Sequence, residues 1–298
     1  MPTPHGADAV PAAVTTDAFV TPDGLRLPLR RWTAEEPKAI LIALHGMSDY
    51  SRAFTMPGPW LAERGITVLA YDQRSFGAGP ERGHWPGGDA LRADLAAFVS
   101  VVRHNHPGVP VFVLGESMGG AVVLTALADG QLKGVTGVVL VAPAVWSRSD
   151  MPLSYRVALW LAAHTVPWLE LSGSGLKIWP SDNIEMLREL SRDPLFQHET
   201  RADAVWGLVN LMDAARMAPA RLTDPPPILF LYGAKDQIIP AAPTEAVIAA
   251  LGKRAEVHRY PNGYHMLLRD LDRETVWKDL AHWIGDHAAT KTAAVPAQ

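Results

Sequence analysis

Short apolar runs alternate with helical patterns along most of the chain. The runs predict strands at residues 25–32, 40–44, 67–71, 111–114, 135–141, 228–232 and 256–260. Stretches with apolar residues every three or four positions predict helices at residues 60–64, 90–103, 118–128, 244–251 and 274–287. This alternation is typical of a mostly parallel sheet covered by helices, with the first strand in an antiparallel hairpin.

The alternation stops between residues 143 and 225. This interval has helical patches, no convincing strand and five of the ten tryptophans, and the strand pattern resumes directly after it. Open α/β sheets bind ligands at their carboxyl edge, so we interpret the insertion as a helical cap over that edge and not as a separate helical domain. The predicted organisation is a core of residues 17–142 and 226–288, a cap of residues 143–225, and disordered tails at residues 1–16 and 289–298.

The sequence Gly115-Glu116-Ser117-Met118-Gly119 joins an apolar strand to a helix rich in alanine, valine and leucine. A G-x-S-x-G sequence between a strand and a helix is typical of a nucleophile elbow. The turn is so tight that small residues are needed two positions before and two positions after the serine. Its hydroxyl is then exposed at the amino end of a helix, where the helix dipole favours negative charge. We therefore predict that Ser117 is a nucleophile.

A nucleophilic serine needs a base and an acid that orients the base, and in elbow-containing folds both follow the serine, acid first. Asp236 comes four residues after one predicted strand, and His265 comes five residues after the next, before the last helix. The competing His258 lies inside a strand and would point to one face of the sheet. Asp203 and Asp213 are expected to be solvated on cap helices. The sequence predicts the catalytic triad Ser117, Asp236 and His265.

An oxyanion hole needs two backbone N–H groups directed at the same point. We predict that Met118 supplies one and that Met47, in the loop after the strand at residues 40–44, supplies the other. Gly46 gives this loop the freedom to turn, and His45 is expected to form a hydrogen bond within it. The predicted substrate-binding residues are Gly46, Tyr50, Trp146 and Trp179.

The amino-acid composition excludes several classes of catalytic and binding site. The chain has 298 residues, a net charge of −4 and no cysteine, which excludes thiol nucleophiles, disulfides and cysteine-ligated metals. The mild acidity gives no reason to expect nucleic acid as a partner. His84, His104 and His106 have no paired carboxylate motif and read as surface residues, so we predict neither a metal nor a cofactor.

The ends and the apolar runs give no membrane signal. Residues 1–16 contain proline and alanine without the apolar core of a signal peptide. The most apolar run, at residues 157–171, is interrupted by Pro167 and is shorter than the roughly 20 residues that a membrane span needs. We expect one or two buried or surface-lying helices there, and a cytoplasmic protein.

Taken together, these segments resemble the monoacylglycerol lipase and lysophospholipase family of the α/β-hydrolase superfamily. The similar segments are HGMSDYSRAF, YDQRSFGAG, GESMGGA, SRDPL, GAKDQIIP and YPNGYHMLL. The resemblance implies an α/β-hydrolase fold with a mostly parallel eight-stranded sheet and an inserted helical cap. In place of the second glycine and the histidine that usually follow His-Gly in this family, the chain has Ser48 and Tyr50.

The resemblance also implies hydrolysis of carboxylic esters through an acyl-enzyme. The apolar, tryptophan-rich cap favours medium- to long-chain monoacylglycerols as the lipid substrates, with transient contact between cap and membrane. A lysophospholipase or a short-chain or aromatic carboxylesterase would share every catalytic residue. A serine aminopeptidase would need an acidic cluster, and the candidates Glu185, Glu189 and Asp193 read better as a solvated helix face. A non-enzymatic binding module on this fold would normally lack one member of the triad. The sequence does not predict the oligomeric state.

Overall fold

The computed structural model describes residues 11–172 and 178–293 of the chain. The strands are β1 (Ala13–Val14), β2 (Ala18–Val20), β3 (Arg26–Trp32), β4 (Ala39–Leu44), β5 (Ile66–Tyr71), β6 (Val111–Glu116), β7 (Gly137–Val141), β8 (Glu170–Ser172), β9 (Glu199–Arg201), β10 (Ile228–Gly233) and β11 (Ala255–Tyr260). The helices are α1 (Pro57–Ala62), α2 (Gly88–Asn105), α3 (Met118–Ala128), α4 (Leu153–Thr165), α5 (Ile184–Leu190), α6 (Ala202–Met217), α7 (Ala241–Leu251) and α8 (Arg273–Ala293).

One large sheet organises this part of the chain, with the strand order β1-β2-β3-β5-β4-β6-β7-β10-β11. Strands β1, β2 and β3 are antiparallel to their neighbours, and all the pairs from β5 to β11 in this order are parallel. Every residue of β4, β5, β6, β7 and β10 is buried, because helices cover both faces of the sheet. The predicted fold class, a mostly parallel sheet flanked by helices, is therefore confirmed.

Alternate residues of the central strands feed two apolar layers. On β4, Ile40 and Ile42 pack in the layer that contains helices α2 and α3, and Leu41 packs in the layer that contains α1 and α8. This alternation follows from the two-residue period of a strand. It also explains why the sequence shows continuous apolar runs at these strands.

The sheet has nine strands within the described residues, where eight were expected. The difference lies at β1, which pairs Ala13 with Val20 and Val14 with Phe19 inside the segment predicted to be a disordered tail. A strand of two residues is too short to show an alternating pattern. Helix α8 likewise extends to Ala293, into the predicted carboxyl-terminal tail; residues 1–10 and 294–298 lie outside the described part.

The insertion between β7 and β10 contains α4, α5, α6 and a two-stranded antiparallel ribbon of β8 and β9. The prediction that residues 143–225 contain no strand was therefore wrong. Each ribbon strand is three residues long and largely exposed, so no apolar periodicity reveals it. Helix α4 lies at the surface without a single buried residue. No helix among the described residues is long and apolar enough to cross a membrane.

Candidate active site

The elbow sequence forms a strained turn between β6 and α3. Ser117 has φ 53° and ψ −116°, a left-handed conformation that costs a non-glycine residue free energy. A Cβ atom on Gly115 would lie 2.3 Å from the Gly119 carbonyl oxygen, and one on Gly119 would lie 2.4 Å from the Leu44 carbonyl oxygen. The two glycines therefore allow the turn to close and to press against β4. The Ser117 N–H donates to the Val141 carbonyl at 3.0 Å, which anchors the turn to β7.

The predicted acid and histidine meet at the same edge of the sheet, in the loops that follow β10 and β11. His265 Nδ1 lies 2.8 Å from Asp236 Oδ2, and the two side chains are only 7% and 0% exposed. The other Asp236 oxygen accepts hydrogen bonds from the Ile238 and Ile239 N–H groups at 2.7 and 3.0 Å. A fixed carboxylate on Nδ1 holds the imidazole in the tautomer whose Nε2 is free to accept a proton.

The loop after β4 passes close to Ser117. A Cβ atom on Gly46 would lie 3.1 Å from Ser117 Cβ, so only glycine allows this approach without a shift of the serine. His45 Nδ1 donates to the Gly46 carbonyl at 2.8 Å, as expected, and His45 Nε2 accepts from the Gln73 N–H at 2.9 Å. The peptide group is planar and trans, so fixing the Gly46 carbonyl also fixes the direction of the Met47 N–H. Burial lowers the pKa of His45, which keeps the ring in the neutral form that these two hydrogen bonds need.

The second predicted oxyanion donor, Met118, is the first residue of α3. Its N–H therefore has no acceptor within the helix. Helix α3 also directs the positive end of its dipole towards the elbow. The edge of the sheet thus brings together a serine, a histidine–carboxylate pair and a helix amino end.

A fully buried ion cluster lies beneath these groups. The Arg269 guanidinium donates to Asp49 Oδ2 at 2.7 Å and to Glu116 Oε2 at 3.1 Å, and the three side chains are between 3% and 6% exposed. Burial raises the pKa of Glu116, and the positive charge of Arg269 opposes this shift. The cluster joins the loop after β4, the elbow and the segment that follows His265. Sequence reasoning missed it; the only available signal was a glutamate between an apolar strand and an apolar helix.

The four predicted substrate-binding residues differ in their burial and in their contacts. Gly46 lies against Ser117, whereas Tyr50 is buried and donates its hydroxyl proton to Asp193 Oδ2 at 2.8 Å. Burial and this hydrogen bond raise the pKa of Tyr50 to about 12. Trp146 is partly buried against the core, and Trp179 is 52% exposed. The backbone N–H of Trp179 donates to the side chain of Gln237, the neighbour of Asp236, at 3.0 Å.

The competing residues lie elsewhere or have other partners. The imidazole of His258 lies between Glu256 and Asp279, at 2.8 and 3.3 Å. Asp213 and Asp203, expected to be solvated, are ion-paired with Arg148 and Arg201 and are about one third exposed. Residues 84, 104 and 106, the three histidines considered above, are exposed. No group of three or more histidine or acidic residues in the described ranges could hold a metal ion.

Two members of the acidic cluster considered for an aminopeptidase share one arginine. Glu189 and Asp193 both form ion pairs with Arg52, and Asp193 is buried and also accepts from Tyr50. The expectation of a solvated helix face was wrong for Asp193. Only Glu185 of the three has an exposed carboxylate without a described ion pair.

The chain is similar to a known protein family and to several lipases. Residues 35–272 match the protein family described as "Serine aminopeptidase, S33". The chain is 26% identical to a monoacylglycerol lipase of Mycolicibacterium smegmatis, over 91% of this chain and 96% of that protein. It is also 26% identical to the human monoglyceride lipase, over 93% of each protein. Among solved structures, a soluble variant of the Saccharomyces cerevisiae monoglyceride lipase superposes with a TM-score of 0.77, at 19% identity, over 96% of this chain and 99% of that one.

Proposed function

Because the chain belongs to the family described as "Serine aminopeptidase, S33" and is a carboxylic ester hydrolase of the monoacylglycerol lipase type, we propose that it hydrolyses medium- to long-chain monoacylglycerols through an acyl-enzyme on Ser117. The observation that carries this proposal is the His265–Asp236 pair, 2.8 Å long and nearly closed to solvent, at the sheet edge that also carries the elbow. Such a pair is what a serine hydroxyl needs to become a nucleophile at neutral pH.

The mechanism follows from the position of each group. Ser117 Oγ attacks the ester carbonyl carbon while His265 Nε2 takes its proton, and Asp236 stabilises the imidazolium that forms. The N–H groups of Met47 and Met118 bind the oxyanion of the tetrahedral intermediate. His265 then protonates the leaving alcohol, and water releases the acid by the same steps in the second half of the cycle.

The first test is Ser117→Ala, assayed with a p-nitrophenyl ester and with a monoacylglycerol. The loss of a catalytic serine lowers kcat by a factor on the order of 10⁶ in a triad enzyme. A fluorophosphonate probe should label the wild-type protein and neither Ser117→Ala nor His265→Ala. Ester hydrolysis retained by Ser117→Ala would overturn the proposal.

The acyl-chain preference is tested separately, with monoacylglycerols, lysophospholipids and p-nitrophenyl esters of increasing chain length compared by kcat/KM. We expect the maximum at a medium or long monoacylglycerol, since the cap is rich in apolar residues. A maximum at the acetyl ester would favour a short-chain carboxylesterase, and a maximum at a lysophospholipid would favour a lysophospholipase. An aminopeptidase activity is disfavoured because Arg52 already forms ion pairs with two of the three acidic candidates, and one of them, Asp193, is buried.

We also propose that the exposed face of the cap touches the lipid surface from which the substrate is taken. Leu153, Tyr155, Trp160 and Trp168 are each more than half exposed on or next to α4. An exposed apolar group of this kind is characteristic of membrane or partner contact. The test is cosedimentation with phosphatidylcholine vesicles, wild type against Leu153→Ser/Trp168→Ser. Equal binding of both proteins would contradict this contact.

A further inference from the structure

One short segment of the cap holds the loop that carries Met47. This segment, residues 193–197, is called here the docking segment. At one end, Asp193 accepts hydrogen bonds from Tyr50 and Arg52. At the other end, the Gln197 N–H donates to the Ser48 carbonyl at 2.8 Å, and Gln197 Nε2 donates to the Ser75 carbonyl at 2.8 Å. Gln197 therefore binds two core loops at once, and it is only 8% exposed.

Both carbonyls belong to residues in an unfavourable backbone conformation. Ser48 has φ 70° and Ser75 has φ 73°, the left-handed region that non-glycine residues rarely adopt. Such residues keep this conformation only where the surroundings determine it. The backbone N–H of Gln197 donates to one of these carbonyls and its side chain donates to the other. Gln197 therefore helps to hold both residues in this conformation.

The two loops are also tied to each other beneath Gln197. Asp72 accepts from the Ser51 N–H at 3.0 Å, and Gln73 donates to His45 through both its backbone and its side chain. The Ser48 carbonyl is two peptide groups from the Met47 N–H. A shift of Ser48 would therefore move the group that faces the developing oxyanion.

We propose that Gln197 is a positioning residue that couples the docked state of the cap to the geometry of the oxyanion hole. This inference rests on the proposed function, because it needs Met47 to act as an oxyanion donor. Full activity would then depend on a residue of the cap that belongs neither to the triad nor to the elbow.

The test compares Gln197→Leu with Arg82→Ala. Leucine removes the Nε2 donor and keeps the size and the backbone N–H. Arg82 donates to the Pro194 and Phe196 carbonyls of the same docking segment, at 2.6 and 3.3 Å, without touching the loop after β4.

Small displacements of groups around a reaction centre cost up to about 100-fold in rate. We expect Gln197→Leu to lower kcat about tenfold and to weaken binding of an alkyl trifluoromethyl ketone about tenfold, with KM changed less than about twofold. Arg82→Ala should leave all three values near those of the wild type.

A second variant keeps the test decisive if Gln197→Leu does not fold. The ionised carboxylate of Gln197→Glu cannot donate to the Ser75 carbonyl, but its protonated form can. The ratio of kcat for Gln197→Glu to kcat for the wild type should therefore rise as the pH falls from 8 to 5.5. A flat ratio, or a Gln197→Leu variant that matches Arg82→Ala, would overturn the positioning role while the wild type still hydrolyses esters. If the wild type hydrolyses no ester, the proposed function itself fails.

Discussion

The two halves of the insertion between β7 and β10 differ in how they meet the core. The outer half, residues 148–172, carries helix α4, none of whose residues is buried. The docked half, residues 181–217, carries α5 and α6, whose inward faces are buried, among them Met186 and Met212. The outer half nevertheless exposes large apolar side chains, among them Leu153, Tyr155 and Trp168.

Polar contacts explain the difference. Ser181 Oγ donates to Asp270 Oδ1 at 2.6 Å, and Asn183 Nδ2 donates to the Arg269 carbonyl at 2.9 Å. Asp193 and Gln197 bind the loop after β4, as described above. The docked half therefore contacts the segment after His265 on one side and the loop of Met47 on the other. Hydrogen bonds at the rim of the candidate site therefore fix the docked half to these loops, in addition to its buried apolar faces.

The largest expected effect comes from the ion cluster on which the docked half rests. Arg269→Met would leave Asp49 and Glu116 buried without their cation. Removing one partner of a buried ion pair costs about 3–5 kcal/mol. Urea denaturation should show a loss of that size in the free energy of unfolding. Adding Glu116→Gln to Arg269→Met should restore part of it, and a loss below about 1 kcal/mol would show that the cluster is not electrostatically coupled.

A tyrosine in the contact between core and docked half should be the next most sensitive. Tyr50→Ala removes a buried ring together with the hydroxyl that binds Asp193. Truncating a buried aromatic side chain costs about 3–5 kcal/mol, and we expect the lower end because a loop can partly collapse into the space. The midpoint of urea unfolding measures this cost, and Tyr50→Phe separates the contribution of the hydrogen bond. An unchanged midpoint for Tyr50→Ala would contradict the proposed anchoring.

A pH effect should come from Asp270, which binds Ser181 of the docked half. Burial raises the pKa of Asp270 to about 6. The folded state therefore holds this proton more tightly than the unfolded state, whose carboxyl has its ordinary value of 3.8. The stabilisation is complete below pH 3.8 and is lost as the pH rises towards 6. Asp270→Asn removes this loss, because its amide oxygen can accept from the Tyr264 N–H while its NH₂ group donates to Ser181 Oγ.

The measurement is the unfolding free energy of Asp270→Asn minus that of the wild type, followed from pH 4 to pH 7. We expect the difference to rise between pH 4 and 6 by on the order of 1–2 kcal/mol and to stay level above pH 6. A difference that is constant with pH would show that Asp270 ionises normally in the folded protein.

The smallest effect should come from the outer half. Tyr155 is 61% exposed on α4, so Tyr155→Ala should change the unfolding free energy by no more than about 0.5 kcal/mol. Truncation of a tyrosine would then cost about 3 kcal/mol at position 50, where the core contacts the docked half, and almost nothing at position 155 in the outer half. A loss of about 2 kcal/mol or more at Tyr155 would mean that this face is covered in solution.

The elements that the sequence predicts well are those coded by neighbouring residues. The central strands and the tight turn at Gly115 and Gly119 depend on local patterns, and the contact between Asp236 and His265 follows from their positions after neighbouring strands. The cluster around Arg269 joins it to Asp49, 220 positions earlier, and no periodicity reports such a contact. The role of Gln197 could not be predicted for the same reason. A single polar residue forms no sequence pattern, and its two carbonyl partners are known only from the structure.

The left-handed backbone of Ser117 bears on the evolution of this chain. The proposed nucleophile occupies a position where glycine would be less strained, so we expect the fold to gain stability from the very substitution that removes the hydroxyl. Selection for catalytic turnover would have to act continuously against the replacement of Ser117 by glycine. A lineage released from such selection would be expected to lose its nucleophile early and to keep its fold, leaving a stable and inactive descendant.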